Sequence, residues 1–507
     1  MDKPEMKKYA GDTFCTVKFD YTAMTECSAE VTMPDYYPEV RRIVSAFAEV
    51  LPDSKYLSEG NLEYGGTVSF SVLYIGDDNS LCCVPYSSEY SDSVQLPSEV
   101  EGSACVKIVS KAENTQCRVT APRKISLKTR VKSQIMSDGR ENYSCVQKTA
   151  SGEPYFGGSL EYLDRTVNTV FRKWGTGTGS CTGEIPDAAG SKPVMCSGSI
   201  NITSATAGRD CVTVKGSACV RCIVFNTDGV YSTVTGSLPF EETVNMEGTA
   251  EGDRVSAFGR AASVSVSTDG AAASAEVEYD LDVTACRPSL VCVTDDIYST
   301  VSQLELERGQ TEPICLLACH NGQFTVNGEI KRSGDKKGDS CIVTACAEPV
   351  FEKAEIKDGR LILSGNMRAK VFEAADGDIN CEEGTLPLKY EIPAEGDAAP
   401  QEVLWNADAS VIKLSAKDMG DKINFTAELC TAVEAVRKYR ITPVTEARFS
   451  GEGLSEGAGC VIKICCPEKG TPVWEIAKKH HAAIPELERI NGIRRDSVSD
   501  GSPLIIK

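Results

Sequence analysis

The sequence predicts a multidomain, mainly β protein that ends in a small α+β unit of β-α-α-β order. Three observations predict it. A run of alternating apolar residues centred on a glycine occurs three times. The chain, at 507 residues, is too long for one hydrophobic core and points to roughly three to four domains. The segment 460–507 switches from period-two patterning to short amphipathic helices.

The first run reads Leu62, Tyr64, Gly66, Val68, Phe70, Val72. The second reads Val212, Val214, Gly216, Ala218, Val220, Cys222, and the third Leu361, Leu363, Gly365, Met367, Ala369, Val371. The positions between them, such as Glu63, Thr67, Lys215, Arg221 and Lys370, are mostly polar. This alternation describes a strand with one buried and one wet face. Each run exceeds a usual strand, so its glycine is expected to mark a bulge or bend between two shorter strands. A turn follows each run: Gly76-Asp77-Asp78-Asn79, Asn226-Thr227-Asp228-Gly229, Asp376-Gly377-Asp378. Then comes an apolar-Pro-apolar triplet: Val84-Pro85-Tyr86, Leu238-Pro239-Phe240, Leu386-Pro387-Leu388. Three matching cassettes signal a tandem β repeat. Their spacing reads as large and irregular, which predicts separate small domains.

In chain order, residues 1–33 read as an N-terminal arm, with Val17, Phe19 and Tyr21 in strand alternation. Domain 1 spans 34–139 and a connector 140–189. Within the connector Leu160, Leu163, Val167, Val170, Phe171 and Trp174 fall at helical spacing, while 166–170 is β-branched enough for a strand; both readings stay open. Residues 175–180, Gly-Thr-Gly-Thr-Gly-Ser, read as a flexible linker, because the Gly-Lys-Ser/Thr ending of a phosphate loop is missing. Domain 2 spans 190–288, domain 3 spans 289–450, and 451–459 is a glycine-rich linker. In the tail a strand at 461–464 precedes Gly470-Thr471-Pro472 and a helix at 473–479. A second helix at 484–490 stops at Asn491-Gly492, and Leu504-Ile505-Ile506 closes the unit. Trp474, Ile476, Leu487 and Ile490 are its expected core, and the pieces on either side of the linker are expected to fold alone.

The net charge of −20 argues against nucleic acid and against an anionic membrane surface. The first twenty residues lack the apolar core of a signal peptide, and no stretch is long and apolar enough to insert in a bilayer. A cytosolic protein is expected, with its 23 cysteines as reduced thiols. Cys315, Cys319 and His320 lack a second ligand pair, and Cys219 and Cys222 lie in a strand run, so no metal or other cofactor is expected. No Ser/His/Asp set, nucleophile elbow or paired carboxylates stand out, so no enzyme is expected. His480 and His481 fall where they would face the negative end of the first tail helix. The tail is nearly neutral while the rest is acidic, which suits docking onto an acidic protein surface.

The tail resembles a LysM domain at Gly470, Thr471, Val473, Trp474, Ile476, Ala477, Leu487, Asn491, Gly501, Leu504 and Ile506. The resemblance implies a binding groove formed by Gly470, Thr471, Pro472, Val473, Asn491, Gly492, Ile493 and Arg494. The family's sugar-holding loop has Asp after its glycine, where this chain has Thr471. The cassettes, together with Val293-Thr294-Asp295 before Tyr298, resemble the SPOCS domain of clostridial spore coat proteins. SPOCS repeats followed by one terminal LysM domain resemble the SipL type of spore morphogenetic protein. That resemblance implies a non-enzymatic scaffold of endospore coat assembly, in the mother-cell cytoplasm at the forespore surface. Its LysM domain would bind a morphogenetic ATPase, with other coat proteins as further partners. The alternative is a cell-wall protein that binds N-acetylglucosamine-containing glycan, in peptidoglycan or chitin oligomers. A cortex-lytic enzyme, the third reading, lacks a visible catalytic set.

Overall fold

The computed structural model describes residues 8–97, 106–146, 158–269, 272–332, 340–375, 378–453 and 462–506. Its first six strands are β1 (Lys8–Thr32), β2 (Val40–Ser58), β3 (Asn61–Gly76), β4 (Leu81–Gln95), β5 (Val106–Ala121) and β6 (Lys124–Val146). They form two three-stranded sheets, ordered β2-β3-β4 and β1-β6-β5. The next six are β7 (Leu160–Glu184), β8 (Lys192–Gly208), β9 (Cys211–Phe225), β10 (Tyr231–Asn245), β11 (Arg254–Asp269) and β12 (Ala272–Ser299). They repeat the pattern as β8-β9-β10 and β7-β12-β11. After the short β13 (Ser302–Arg308) it recurs again. The strands are β14 (Ile314–Lys331), β15 (Cys341–Lys357), β16 (Arg360–Ala375), β17 (Asp378–Pro393), β18 (Val403–Asp418) and β19 (Lys422–Lys438), ordered β15-β16-β17 and β14-β19-β18. β20 (Val444–Gly453) pairs back with β13. All these pairings are antiparallel.

Each repeat is therefore a strand, a three-stranded meander, and a hairpin whose second strand returns to pair with the first. The two sheets of a repeat face one another: β2 meets β5, β8 meets β11, and β15 meets β18. Buried alternate residues fill the space between, such as Val68, Phe70 and Leu127 in the first repeat, and Leu363, Met367 and Phe425 in the third. The cassettes are β3, β9 and β16, the central strands of the meanders. Their glycines stand at 66, 216 and 365, so the spacing is nearly constant rather than irregular.

Each cassette is one unbroken strand, which corrects the expected bend. Gly66, Gly216 and Gly365 lie opposite Pro52, Ile202 and Phe351, where the neighbouring strand gains one residue: Asp53, Thr203 or Glu352. The bulge belongs to the partner, and the glycine makes room for it. A Cβ on Gly216 would stand 2.2 Å from the Asn201 carbonyl oxygen, and one on Gly365 2.0 Å from that of Val350. The prolines of the triplets fall on β4, β10 and β17, the outer strands of the meanders, where a missing N–H leaves no inner ladder bond unmade.

The connector question resolves to strand. β7 pairs with β12 from Leu160 to Glu184, and the glycine-rich 175–180 runs inside that ladder opposite 278–283, so it is not a linker. Glycine is required there by close packing: a Cβ on Gly177 would stand 2.7 Å from a methyl of Val244, and one on Gly183 2.4 Å from Leu238. The expected turn at 376–377 and most of the linker, 454–459, lie outside the described residues, while 451–453 belongs to β20.

The repeats are not separate bodies. β4 meets β8, β10 meets β15, and β17 comes round to β2, so the meanders close a ring. Hydrogen bonds join the repeats in each direction: the Leu81 N–H donates to the Tyr231 hydroxyl at 2.8 Å, the Thr233 hydroxyl to the Val343 carbonyl at 2.7 Å, and Arg42 to the Ile379 carbonyl at 2.6 Å. Leu73, Ile223 and Phe372, each seven residues past its cassette glycine, pack into one apolar cluster at the ring's centre. The first strands also meet one another, placing Cys15, Val170 and Leu316 in a second shared cluster.

A buried ionic group ties the same three repeats. Arg172 on β7 donates two hydrogen bonds to Asp138 on β6, at 2.6 and 2.8 Å, and another to Glu434 on β19. Lys107 on β5 donates to the other oxygen of Glu434 at 2.9 Å, and the Thr284 hydroxyl of β12 does so at the same distance. Arg172 and Glu434 side chains are only 3% and 4% exposed. Arg260 pairs with Asp282, and Lys111 with Asp408 at 2.5 Å, beside them. Burial alone would push the Glu434 carboxyl up, but Lys107 and Arg172 outweigh it and hold it down at about 2.

Two outcomes follow from this packing. Gly216→Ala forces a methyl group onto a backbone carbonyl and is expected to destabilise the protein by about 1–3 kcal/mol in denaturant titration. An alanine variant as stable as wild type would show that the bulge shifts freely. Glu434, with its acidity increased by folding, contributes stability that is complete above its ordinary value of 4.5 and is lost as pH falls through about 2. Denaturant midpoints are expected to drop across that window, and a Glu434→Gln protein to show a shallower drop. Superimposable acid profiles for the two proteins would contradict this.

Candidate functional site

The tail is built from β21 (Lys463–Cys465), α1 (Val473–His480), α2 (Ile484–Asn491) and β22 (Leu504–Ile506), with β21 and β22 antiparallel. Apolar residues of α1 at Val473, Trp474, Ile476 and Ala477 recur at helical spacing and are buried, as are Ile484 and Leu487 of α2. Ile490 is only half-buried, so it is peripheral to the core rather than part of it. Left-handed residues end both helices: His481 at φ 52° and Gly492 at φ 66°. The Gly492 N–H donates to the Glu488 carbonyl at 2.9 Å.

The eight residues proposed for a groove divide into two kinds. Val473 is 1% exposed and sits in the core, so a partner cannot reach it. Asn491 is a clamp: its amide donates to the Leu487 and Ile505 carbonyls at 3.0 and 2.8 Å, and its oxygen accepts from the Ile505 N–H at 2.7 Å. Ile493 is half-buried against the same core. Gly470, Pro472, Gly492 and Arg494 are exposed, and Thr471 is half-exposed. The loop 470–473 is held by the chain after α2. Gly470 N–H donates to Ser499 O at 2.8 Å, Ser499 N–H to Thr471 O at 2.8 Å, and Val473 N–H to Ser497 O at 3.1 Å. Pro472 and Val498 form the bridge between them. A rigid, solvent-facing rim results, with Arg494 its only cationic side chain among those eight.

The opposite side of the module rests on the second repeat. There the outer ends of β7 and β12 extend past the sandwich and pair from Leu160–Val167 to Val291–Ser299. A bulge between Thr294 and Asp296 turns the end of β12 toward the tail. Tyr298 is 3% exposed and belongs to the tail's own core cluster, edge-on to Trp474 with ring centroids 5.0 Å apart. Its hydroxyl donates to the Ala482 carbonyl at 2.6 Å, and burial pushes the phenol pKa up from its ordinary 10.0. Asp296 accepts from the Trp474 indole N–H at 3.0 Å and from Lys478 at 2.6 and 2.8 Å. The His481 ring meets the Ser299 carbonyl at 2.7 Å. α2 has no side-chain cap of its own; the Glu161 carboxylate of β7 accepts the Ile484 backbone N–H. Burial nonetheless raises the Glu161 carboxyl above its ordinary value.

Sequence reasoning singled out Val293-Thr294-Asp295 and Tyr298 but not what they touch, and it missed Asp296 and Glu161. It placed His480 and His481 at the end of the first tail helix, where both stand: His480 is its last residue and meets the Cys465 sulfur at 3.2 Å, and His481 is the C-cap. Two partly open cavities of about 10 and 50 Å³ lie where the repeats meet. Ligand pockets run to about 300–1,000 Å³, so these two are packing features. Cys315, Cys319 and His320 lie on β14, and among the described residues no three His, Cys, Asp or Glu side chains converge as metal ligands. No helix among those residues is long and apolar enough to cross a membrane.

Residues 192–269 match the family described as SipL, SPOCS domain. The match covers β8 to β11, the meander and first hairpin strand of the second repeat. No curated protein and no solved structure matches the chain.

Because Tyr298, Asp296 and Glu161 complete the tail from outside, the isolated fragment 460–507 is expected to be less stable than the same module in the full chain. Tyr298→Ala removes a buried ring and is expected to cost the module about 3–5 kcal/mol. Hydrogen exchange of α1 amides in the full-length variant measures it. Unchanged protection would show that the module stands by itself.

Proposed function

We propose that the chain is a non-enzymatic scaffold of endospore coat assembly, whose three repeats are all SPOCS-like domains and whose tail is a LysM-like docking module. The observation that carries the reading is the match at 192–269 together with the repetition of that unit's topology on either side of it. A SPOCS domain is not a catalytic family.

In this reading the chain works in the mother-cell cytoplasm at the forespore surface. The tail docks on a spore coat morphogenetic ATPase, and the ring of repeats presents surface to other coat proteins. The contact is the solvent-facing rim of Gly470, Thr471, Pro472, Gly492 and Arg494, with Ile493 partly beneath it. Val473 and Asn491 support the rim from inside. Arg494 favours an acidic surface. The second reading, an N-acetylglucosamine-containing glycan in the same rim, is favoured only by the tail's LysM-like element order; the Thr471 that stands in place of the family's Asp disfavours it.

Arg494→Glu and Thr471→Lys change exposed or half-exposed side chains that the module's core does not use. Either is expected to reduce partner recovery at least about tenfold, or 1.4 kcal/mol, in pull-downs from sporulating cells, with circular dichroism unchanged. Val473→Glu serves only as an unfolding control. Full recovery with both variants would overturn this rim as the contact. Saturable binding of chitin oligomers by the wild type, lost in the variants, would establish the glycan reading instead.

A further inference from the structure

Twenty-three cysteines are far more than the packing of three sandwiches calls for, and they are not evenly placed. Cys196 on β8 and Cys222 on β9 occupy directly opposed positions of one antiparallel pair. Such positions hold Cβ atoms about 4.5–5.5 Å apart, close to the span of a disulfide. The two sulfurs are 2.6 Å apart, well inside the contact distance of non-bonded sulfur atoms. Both cysteines are free thiols. Cys222 is fully buried, whereas Cys196 is half-buried and keeps a path to solvent.

We propose that Cys196 and Cys222 are a built disulfide-forming pair, closed when the protein meets a peroxide or a small-molecule disulfide. With hydrogen peroxide, the Cys196 thiolate attacks one oxygen, the O–O bond breaks, and one water leaves with a sulfenic acid formed. The Cys222 thiol then attacks that sulfur, the S–O bond breaks, and a second water leaves. Two thiols lose two electrons and two protons, and the peroxide takes them up as two waters. The thiols are suited to these roles. The hydrogen bond from Cys222 lowers the Cys196 thiol below its ordinary value, making it the nucleophile. The same contact, with burial, raises Cys222 and keeps its proton until the second step.

A second close pair shows what the first has that others lack. Cys286 on β12 hydrogen-bonds Cys319 on β14, but Cys286 is fully buried, and that contact, burial and the Glu434 carboxylate together push its thiol up. Those two strands do not pair, so no ladder holds Cys286 and Cys319 opposite one another as β8 and β9 hold Cys196 and Cys222. Cys83 on β4 lies near Cys196 across the seam between the first two repeats, but burial, Cys196 and Cys82 raise its thiol to about 12. The staple would act on the ring's centre. Met195 and Ile223, the next residues of β8 and β9, line the cavity of about 50 Å³ between the three repeats.

The test uses the full chain. Protein prepared in reductant is desalted, treated with hydrogen peroxide or with oxidised glutathione, alkylated, digested and mapped by mass spectrometry. The expected result is a peptide linking Cys196 to Cys222, lighter by two hydrogens than its two free peptides, with Cys286 and Cys319 alkylated after denaturation. The oxidised wild type is expected to melt higher than the reduced protein, and a Cys196→Ser protein to show no such gain. Cys222→Ala, whose site is buried, is read only if its circular dichroism matches wild type. Alkylation of both Cys196 and Cys222 after oxidant treatment would overturn the proposal, as would a Cys83–Cys196 linkage in their place.

Discussion

Arg172 is a single side chain that bonds all three repeats: it lies on the second and reaches Asp138 of the first and Glu434 of the third. Removing such ions from water costs several kcal/mol each, and a well-packed apolar substitute is often no less stable. The return lies in orientation. The three sandwiches share a topology and present similar apolar faces, so an assembly with two repeats exchanged would bury similar apolar surface. The charges break that equivalence. The position of Lys107 is held by Ser256 in the second repeat and Asn406 in the third, each opposite the same point of the returning strand. Exchange of the first two repeats would set Ser256 where Lys107 stands and leave Glu434 short of a cation in a buried site.

Much of the fold was legible in the sequence. Period-two alternation gave the central strands, and the turn residues and prolines gave their ends and edges. The tail's helices came from their apolar spacing and their left-handed stops. What the patterns did not carry were relations between strands. The bulges at Asp53, Thr203 and Glu352 leave no mark in their own strands' composition; they show only as a glycine one strand away. A glycine-rich stretch reads as linker because glycine is permissive, yet at 175–180 it meets crowding from Val244 of β10 and from Met246 just beyond that strand. The nearly constant interval between cassette glycines was present in the numbering and is the signal that the repeats are equivalent units.

The candidate site was legible by halves. Exposed glycines and Arg494 are where loop chemistry places them. Val473 was misassigned because it directly follows an exposed proline, although at the first turn of a short helix it points inward with Trp474. The dock on β12 could not be read, since Asp296 and Tyr298 owe their direction to a one-residue bulge. Its result is a module whose hydrophobic interior includes a residue about 180 positions away, as the hydrogen bond from Tyr298 to Ala482 spans. The tail is a projection of the body with a defined attitude, which lowers the orientational entropy that any contact made through it would cost.

Closure of the meanders through β17 and β2 also bears on how such a chain evolves. A linear array grows by duplication, because every added unit finds the same seam and the ends need only a cap. A closed circle has no end to extend. Each seam must subtend a third of a turn, so a fourth unit would open all of them, and loss of one would leave two facing edges unpaired. Copy number is thereby set by geometry, and new surface comes from divergence within the three copies or from elements appended to them, such as the tail.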